Sequence, residues 1–337
     1  MGEPPSPPEI SVVVAAYNAE AYIERAIHSA LSQRGVAVEV VVVDDGSTDN
    51  TLGAVSQIGD LRVKCIRLAR NCGPGAARNV GFALSSAPWI AVLDSDDILL
   101  PDRLRRLLER ARRGKADIVA DNLLVFREDD GKTFPMYKSS KISRMTKLDL
   151  ETFIAGNRAF LGGYALGYLH PMFSAEFLRT HRITYDTDLR IGEDYMFLAE
   201  ALANGAVCVL ESKPGYQYNV RTGSVSHRLA LEHVIRLAEA DQRFLARFQL
   251  NPAAARAHKR RESGLKTAHA FAMLVNALEQ RNVAAALDAV GKCPSAALQL
   301  WRPVVAHVRG AFRDRAWTER LVFRGKEALR KALRLIV

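Results

Sequence analysis

A chain of 337 residues, 48% hydrophobic and 25% charged, has the composition of a folded protein with a sizeable core, which excludes wholesale disorder. Its formal net charge of +10 favours polyanionic surfaces, yet no uninterrupted apolar stretch approaches the ~18–20 residues needed to span a bilayer. Four dispersed cysteines form no CxxC pair, so neither a zinc site nor a disulfide framework is indicated, and a reducing cytoplasm fits.

Residues 1–9 are Pro-rich, with no basic start and no apolar core, and read as an extended tail rather than a signal peptide. Strand and helix signals then alternate. Ile10–Ala15 is a short apolar strand, and Asn18 is placed to cap a helix whose apolar positions run from Ala21 to Leu31. Val38–Val43 is a second strand, ending in Asp44-Asp45-Gly46-Ser47-Thr48-Asp49, with Asp49 placed to cap the next helix. Residues 62–68 form a third strand, a Gly-rich stretch opens a helix from about Gly75 to Ser85, and Ile90–Leu93 is a fourth strand. Pro101 suits the first turn of a helix reaching Arg113. This alternation predicts a mostly parallel sheet covered on both faces, with ligands at the carboxyl ends of its strands.

From Asp117 to Val220 the pattern is mixed. Strand-like pieces (Asp117–Phe126, Val207–Leu210, Gly215–Val220) flank helices near Lys147–Ala155 and Glu193–Asn204, and residues 128–145 read as a polar, mobile loop. After His227 the pattern is helical, with breaks near Asn251-Pro252 and Pro294.

The polar clusters fall at the predicted strand ends. Asp94-Ser95-Asp96-Asp97 places three carboxylates within four residues after a buried apolar run. In an extended chain Asp94 and Asp96 share a side, with Cα atoms roughly 6.5–7 Å apart. A hard divalent cation held with ligand phosphates compensates such repulsion; a solvated turn with Asp97 or Asp102 as a helix cap is the plainer reading. Asp45 can accept from an imide N–H or a ribose hydroxyl, whereas a turn and cap leave it without a role. Asn71-Cys-Gly73-Pro-Gly75-Ala-Ala-Arg78 is a poor dinucleotide fingerprint, because it follows the third strand and puts Arg78 where a small residue belongs. That argues against a dehydrogenase. Glycines that let the backbone pass close to a ligand, with Arg78 reaching towards it, give a better account.

Val12-Val-Val-Ala-Ala-Tyr17-Asn18, Val43-Asp44-Asp45-Gly46-Ser47-Thr48-Asp49, Asn71…Gly73…Ala77-Arg78-Asn79…Gly81 and Leu93-Asp94-Ser95-Asp96-Asp97 occur in order and at characteristic intervals. With Gly192-Glu193-Asp194 about a hundred residues later, this set resembles the inverting family 2 glycosyltransferases of the GT-A fold over roughly residues 10–228. The resemblance implies a Rossmann-like α/β catalytic domain over 10–228 (10–113 the nucleotide-sugar half, 114–228 the acceptor half) and a basic helical extension over 229–337. It places Ala15 and Tyr17 in the nucleotide base pocket, Asp45 on the base, Arg78 near base and diphosphate, Asp94 and Ser95 on the ribose or sugar side, and Asp96 on Mn²⁺ or Mg²⁺. Asp194 corresponds to the catalytic base. Arg221 and Ser226 lie in a segment that closes over the diphosphate, and His227 is a second metal-ligand candidate.

The chemistry suits these parts. Displacing a nucleoside diphosphate from an anomeric carbon develops charge on the leaving oxygen, which a cation and an arginine stabilise. The attacking hydroxyl must lose a proton to a carboxylate within reach. A base opposite the leaving group means inversion, so an α-linked donor yields a β-glycoside. The implied partners are a UDP-sugar, UDP-glucose by analogy, and a saccharide or lipid-linked oligosaccharide acceptor. Residues Tyr164–Asp194 are most similar to the exopolysaccharide-assembly branch, including succinoglycan-type enzymes.

From Trp301 to Val337 ten Arg/Lys face three Asp/Glu, a net of +7 by subtraction. Within 313–337 the apolar residues share one helical face flanked by arginines, which suits either a helix in an anionic membrane interface or one packed on the catalytic domain. A cytoplasmic enzyme, peripheral at the inner membrane if the first reading holds, is expected. A nucleotidyltransferase would need a lysine-bearing glycine loop after the first strand, and Ala15-Ala16-Tyr17-Asn18 supplies none. A nucleic-acid-binding protein would need interleaved aromatic residues, and aromatics are only 7% here, so no nucleic-acid partner is expected.

Overall fold

A computed structural model describes residues 7–157, 164–220 and 230–299. β1 (Ile10–Ala16), β2 (Val38–Asp44), β3 (Val63–Arg67) and β4 (Trp89–Asp94) pair in parallel in the order β3-β2-β1-β4. Their connections carry α1 (Ile23–Leu31), α2 (Thr51–Gln57) and α3 (Pro74–Leu84). Val12, Val13, Val14 and Val40 to Val43 are fully buried, as strands covered on both faces require. Burial of each such side chain contributes roughly 1.5–3 kcal/mol.

Beyond β4 the sheet becomes mixed. After β5 (Ile98–Leu99) and α4 (Arg103–Gly114), β6 (Ile118–Arg127) pairs in parallel with β9 (Cys208–Val220). β8 (Met172–Ser174) bridges β4 and β6 antiparallel to both, giving a nine-stranded sheet ordered β3-β2-β1-β4-β8-β6-β9-β5 with β7 (Lys132–Pro135) beside β6. The mostly parallel α/β architecture expected from sequence is therefore present, with its parallel run in the first hundred residues.

Three local expectations need correction. Residues 128–145 are not a featureless loop: Asp130 accepts from Arg127 at a turn that folds β7 back on β6, and α5 (Ser139–Arg144) follows. The two strand pieces after Val207 are one bulged strand, β9, because its partner β6 runs alongside both with a register shift between Asp121 and Leu123. Asn18 does not cap α1; it has φ of 50° and its side chain serves the neighbouring loop. Asp49 does accept from the Thr51 N–H at the start of α2.

α6 (Leu150–Ala155), a 3₁₀ turn at Leu166–Tyr168, α7 (Ala175–Thr180) and α8 (Glu193–Ala203) complete the half that faces β6 and β8. The chain divides into two compact units, the first running through Gly264 and the second from Leu265. α9 (Leu231–Arg247) lies in the first unit, and so does the start of α10 (Pro252–Glu279), where Ala254 and Ala257 pack on Ile154. In the second unit Leu274 and Ala277 pack with Ala286 and Ala289 of α11 (Val283–Lys292), and α12 (Pro294–Gln299) follows. Among the described residues no helix is long and apolar enough to cross a membrane.

Candidate active site

Parallel register brings the strand ends level. Ala15 pairs with Val43 on one side and Asp94 on the other, and Ala16 pairs with Asp44. Half-buried Ala15 and exposed Tyr17 therefore stand at the same edge as Asp45 and Asp94. The loops after β1 and β2 are locked together: Asn18 Oδ1 accepts from the Thr48 N–H at 2.8 Å, and Ser47 Oγ accepts from the Asn18 N–H at 3.0 Å. Gly46, with φ of 70°, passes so close to Arg70 that a Cβ would stand 2.7 Å from its carbonyl carbon, so this turn requires glycine.

Asp45 has a structural role that its sequence context hides. Its buried carboxylate accepts from the Cys72 N–H at 2.7 Å and the Gly73 N–H at 2.8 Å, shaping the turn before α3. Two backbone donors that would otherwise be buried without partners are satisfied this way. Arg190 then reaches the same turn, donating to Asn71 Oδ1 at 2.6 Å.

Arg78 is not an open arm. Only 4% exposed, it donates to Asp94 Oδ1 at 2.8 Å, Glu193 Oε1 at 2.9 Å and Asp194 Oδ1 at 3.1 Å. Its guanidinium also lies over the Tyr185 ring at 5.3 Å. One cation thus ties the end of β4 to the first turn of α8. Gly192, in the left-handed region at φ 83°, turns the chain into that helix. Burial and the adjacent Asp194 push the Glu193 carboxyl up to about 7, against the pull of Arg78. Asp194 keeps more of its side chain in solvent, 29% against 9% for Glu193, so Asp194 is the more accessible of the two to an incoming hydroxyl.

The acidic turn after β4 divides its work. Asp94 is held below its ordinary range: burial opposes this, but Arg78 and His170 outweigh it. Ser95 is half-buried in the turn. The main-chain carbonyl of Asp96 accepts from Asn219 Nδ2 at 2.6 Å, which fastens the turn to β9. Asp97 is buried, and its Oδ1 accepts from the Asn219 N–H at 2.8 Å. Burial, then Asp94 and Asp96, push its carboxyl well above the usual carboxylate range. Its Oδ2 has no partner of good hydrogen-bond geometry, although the Tyr216 hydroxyl, which accepts from the Asp94 N–H at 3.1 Å, lies beside this carboxyl and opposes the rise.

Among the described residues, Asp94, Asp97 and His170 offer ligand atoms all within 4.8 Å of one another. Asp96, the ligand implied by the resemblance, is outside that group. Burial lowers the His170 pKa, against the opposing pull of Asp94, and so favours a neutral ring with a lone pair to offer. A buried carboxylate oxygen without a partner, beside further carboxylates and a neutral imidazole, fits a divalent cation such as Mn²⁺ or Mg²⁺.

Sequence does not single out His170, Tyr216 or Asn219, and it reads Asp97 only as one carboxylate of the acidic turn or as a cap. Tyr216 and Asn219 lie on β9 and His170 just before β8, far in the chain from the acidic turn they meet, so only the fold reveals their neighbours. Arg221, Ser226, His227 and the tail 313–337 lie outside the described residues.

The profile described as glycosyl transferase family 2 matches residues 11–175. The chain is 45% identical over 302 residues to the succinoglycan biosynthesis protein ExoO of Rhizobium meliloti, covering 90% of this chain and 86% of that protein. It is 36% identical over 269 residues to ExoU of the same organism, covering 77% and 76%. Among solved structures it is similar to S. aureus TarS 1–349 in complex with UDP-GlcNAc, at a TM-score of 0.60 and 22% identity over 86% of this chain and 81% of that one. The mannosyltransferase PcManGT of Pyrobaculum calidifontis, in complex with GDP-Man and Mn²⁺, gives a TM-score of 0.56 at 19% identity, covering 94% and 84%. These two structures support the fold.

Proposed function

The chain belongs to glycosyl transferase family 2 and is a glycosyltransferase, and on that premise we propose that it moves glucose from UDP-glucose to a lipid-linked saccharide acceptor with inversion. The observation that carries this reading is the Arg78 bridge, which brings the carboxylate at the end of β4 and the carboxylate opening α8 to one guanidinium. The resemblance to succinoglycan biosynthesis proteins supports a place in exopolysaccharide assembly.

In this reading the strand-end loops bind the donor. The edge formed by Ala15, Tyr17 and the Asp45-anchored turn receives the nucleotide, and Asp94 with Ser95 faces the ribose or sugar. Asp94, Asp97 and His170, with Asp96 beside them, would hold a divalent cation, which when bound neutralises charge on the leaving diphosphate. Arg221 and Ser226 are further diphosphate candidates and His227 a further ligand candidate. Asp194 accepts the acceptor hydroxyl's proton as the new bond forms, from the face opposite the leaving group. An α-linked donor then gives a β-glycoside. Arg78 fixes the orientation of Asp194 and Asp94 relative to each other while its charge offsets their repulsion.

A thermal-shift panel of UDP-, GDP- and dTDP-sugars with Mn²⁺ and Mg²⁺ tests the donor. Stabilisation by UDP-sugars in the presence of a cation is expected. Selective stabilisation by GDP- or dTDP-sugars would replace UDP as the nucleotide, and no stabilisation by any would overturn the donor-site reading.

A further inference from the structure

A row of aromatic rings leads away from the carboxylates between β9 and the segment around the 3₁₀ turn. His170 stacks on Tyr216 with ring centroids 4.2 Å apart and planes 7° apart. Two residues further along β9, on the same face of the strand, Tyr218 meets Tyr168 edge-on at 5.8 Å. Tyr168 in turn meets Tyr164 edge-on at 5.6 Å. Burial grades along this row. His170 and Tyr216 are buried beside Asp94, whereas Tyr218, Tyr168 and Tyr164 are each only partly covered. The 3₁₀ turn that carries Tyr168 packs on α8: a Cβ at Gly167 would stand 3.6 Å from the Tyr195 Cβ.

From this geometry we infer that Tyr168, Tyr218 and Tyr164 form the platform on which the acceptor saccharide stacks. The inference rests on the glycosyl-transfer reading and adds the acceptor's binding mode. A pyranose ring with axial C–H groups presents an apolar face of partial positive charge. The face of a tyrosine ring is negative, so the two attract as they exclude water. The rings of this row are held by their mutual edge-to-face packing and only partly covered, and fixed packing lowers the entropy lost on binding. The row begins at Asp94, where the Tyr216 hydroxyl and His170 meet that carboxylate, so a ring seated on it lies next to the donor edge. The chemical class is therefore a neutral pyranoside bound by its C–H face.

The test uses the full chain, UDP-glucose as donor, and octyl β-glucoside and octyl β-galactoside below their micelle concentrations as acceptor probes. UDP release without acceptor and transfer to each probe are measured for Tyr168→Leu and Tyr218→Leu, beside Tyr168→Phe and Tyr218→Phe. The Leu variants should raise the acceptor KM by about tenfold, the equivalent of ~1.4 kcal/mol. The Phe variants should stay within about twofold, and donor hydrolysis should be unchanged throughout, because only the platform is altered. If the Leu variants fold poorly, Tyr164→Ala at the less buried outer end carries the same expectation. An unchanged acceptor KM in folded variants, or no transfer to either probe while donor hydrolysis proceeds, overturns the platform. A raised donor KM with an unchanged acceptor KM would assign the rings to the nucleotide instead. Absence of UDP release and of UDP-glucose binding by the unaltered protein would instead remove UDP-glucose as the donor, the part of the proposed function on which this inference rests.

Discussion

Asp94 and Asp194, a hundred residues apart in sequence, are held on one buried guanidinium, with Arg78 donating to the first at 2.8 Å and the second at 3.1 Å. Glu193 makes a third carboxylate on the same arginine at 2.9 Å. Three acids on one cation leave an excess of negative charge that Arg78 limits without cancelling. Burial alone would lower the arginine's pKa, but Asp194 and Asp94 outweigh it and keep it well above the ordinary value.

Arg78→Met should therefore be among the most damaging single changes in the chain. It leaves Asp94, Glu193 and Asp194 facing one another with no cation, a loss of about 3–5 kcal/mol where a buried pair is broken from one side. Urea unfolding at neutral pH measures it. A loss below ~1 kcal/mol would show that solvent, not Arg78, compensates these groups.

Glu193 gives the site a pH signature. Burial and the neighbouring Asp194 push its carboxyl up from an ordinary value of 4.5 to about 7 in the fold. Between those values the folded state binds more protons than the unfolded state, so this contribution is fully present below about 4.5 and is lost as pH rises towards 7. Glu193→Gln keeps the shape and an acceptor oxygen for Arg78 but removes the titration. Relative to the unaltered protein, its stability should rise across that window with a limiting slope of about 1.4 kcal/mol per pH unit. Asp97 and Asp121 titrate in the same direction, so the difference between the two proteins isolates Glu193. Parallel stability curves would show that Glu193 is not the group that titrates.

The cation ligands separate by substitution. Asp97→Asn and His170→Ala should weaken Mn²⁺-dependent UDP binding by about tenfold or more, as should Asp96→Ala if that side chain completes the set. Calorimetric titration of UDP with and without Mn²⁺ reads the effect. Unchanged cation dependence in Asp97→Asn and His170→Ala would remove both from the ligand set and leave Asp96 as the ligand implied by the resemblance.

How far the sequence carries depends on whether a neighbour is local or distant. The valine runs of β1 and β2 and the Asp or Ala residues that end them lie in parallel register, so a level row of strand ends follows from the alternation alone. Asn18 looks like a cap in sequence, but its left-handed backbone turns its side chain to Thr48, thirty residues on, instead of to its own helix. Asp45 looked unoccupied because its partners, the Cys72 and Gly73 N–H groups, are backbone atoms that no residue type reveals. The motif spacing puts Arg78 near the site, but its engagement with Glu193 and Asp194 depends on how α8 docks on α3, which no local pattern encodes. Tyr216 and His170 meet only because β8 and β9 flank β6 in a mixed sheet, which the strand signals could not order.

The most direct measurement is on Asp194→Asn, assayed for transfer from UDP-glucose and for Mn²⁺-dependent UDP binding in the same preparation. Arg78 also pairs with Asp94 and Glu193, and Asn can still accept its hydrogen bond, so the donor edge should keep its geometry. Transfer should fall by about 10²-fold or more, the scale of a lost general base, while UDP affinity stays within about twofold. Transfer at near the unaltered rate, or loss of UDP binding in step with loss of transfer, would contradict Asp194 as the base.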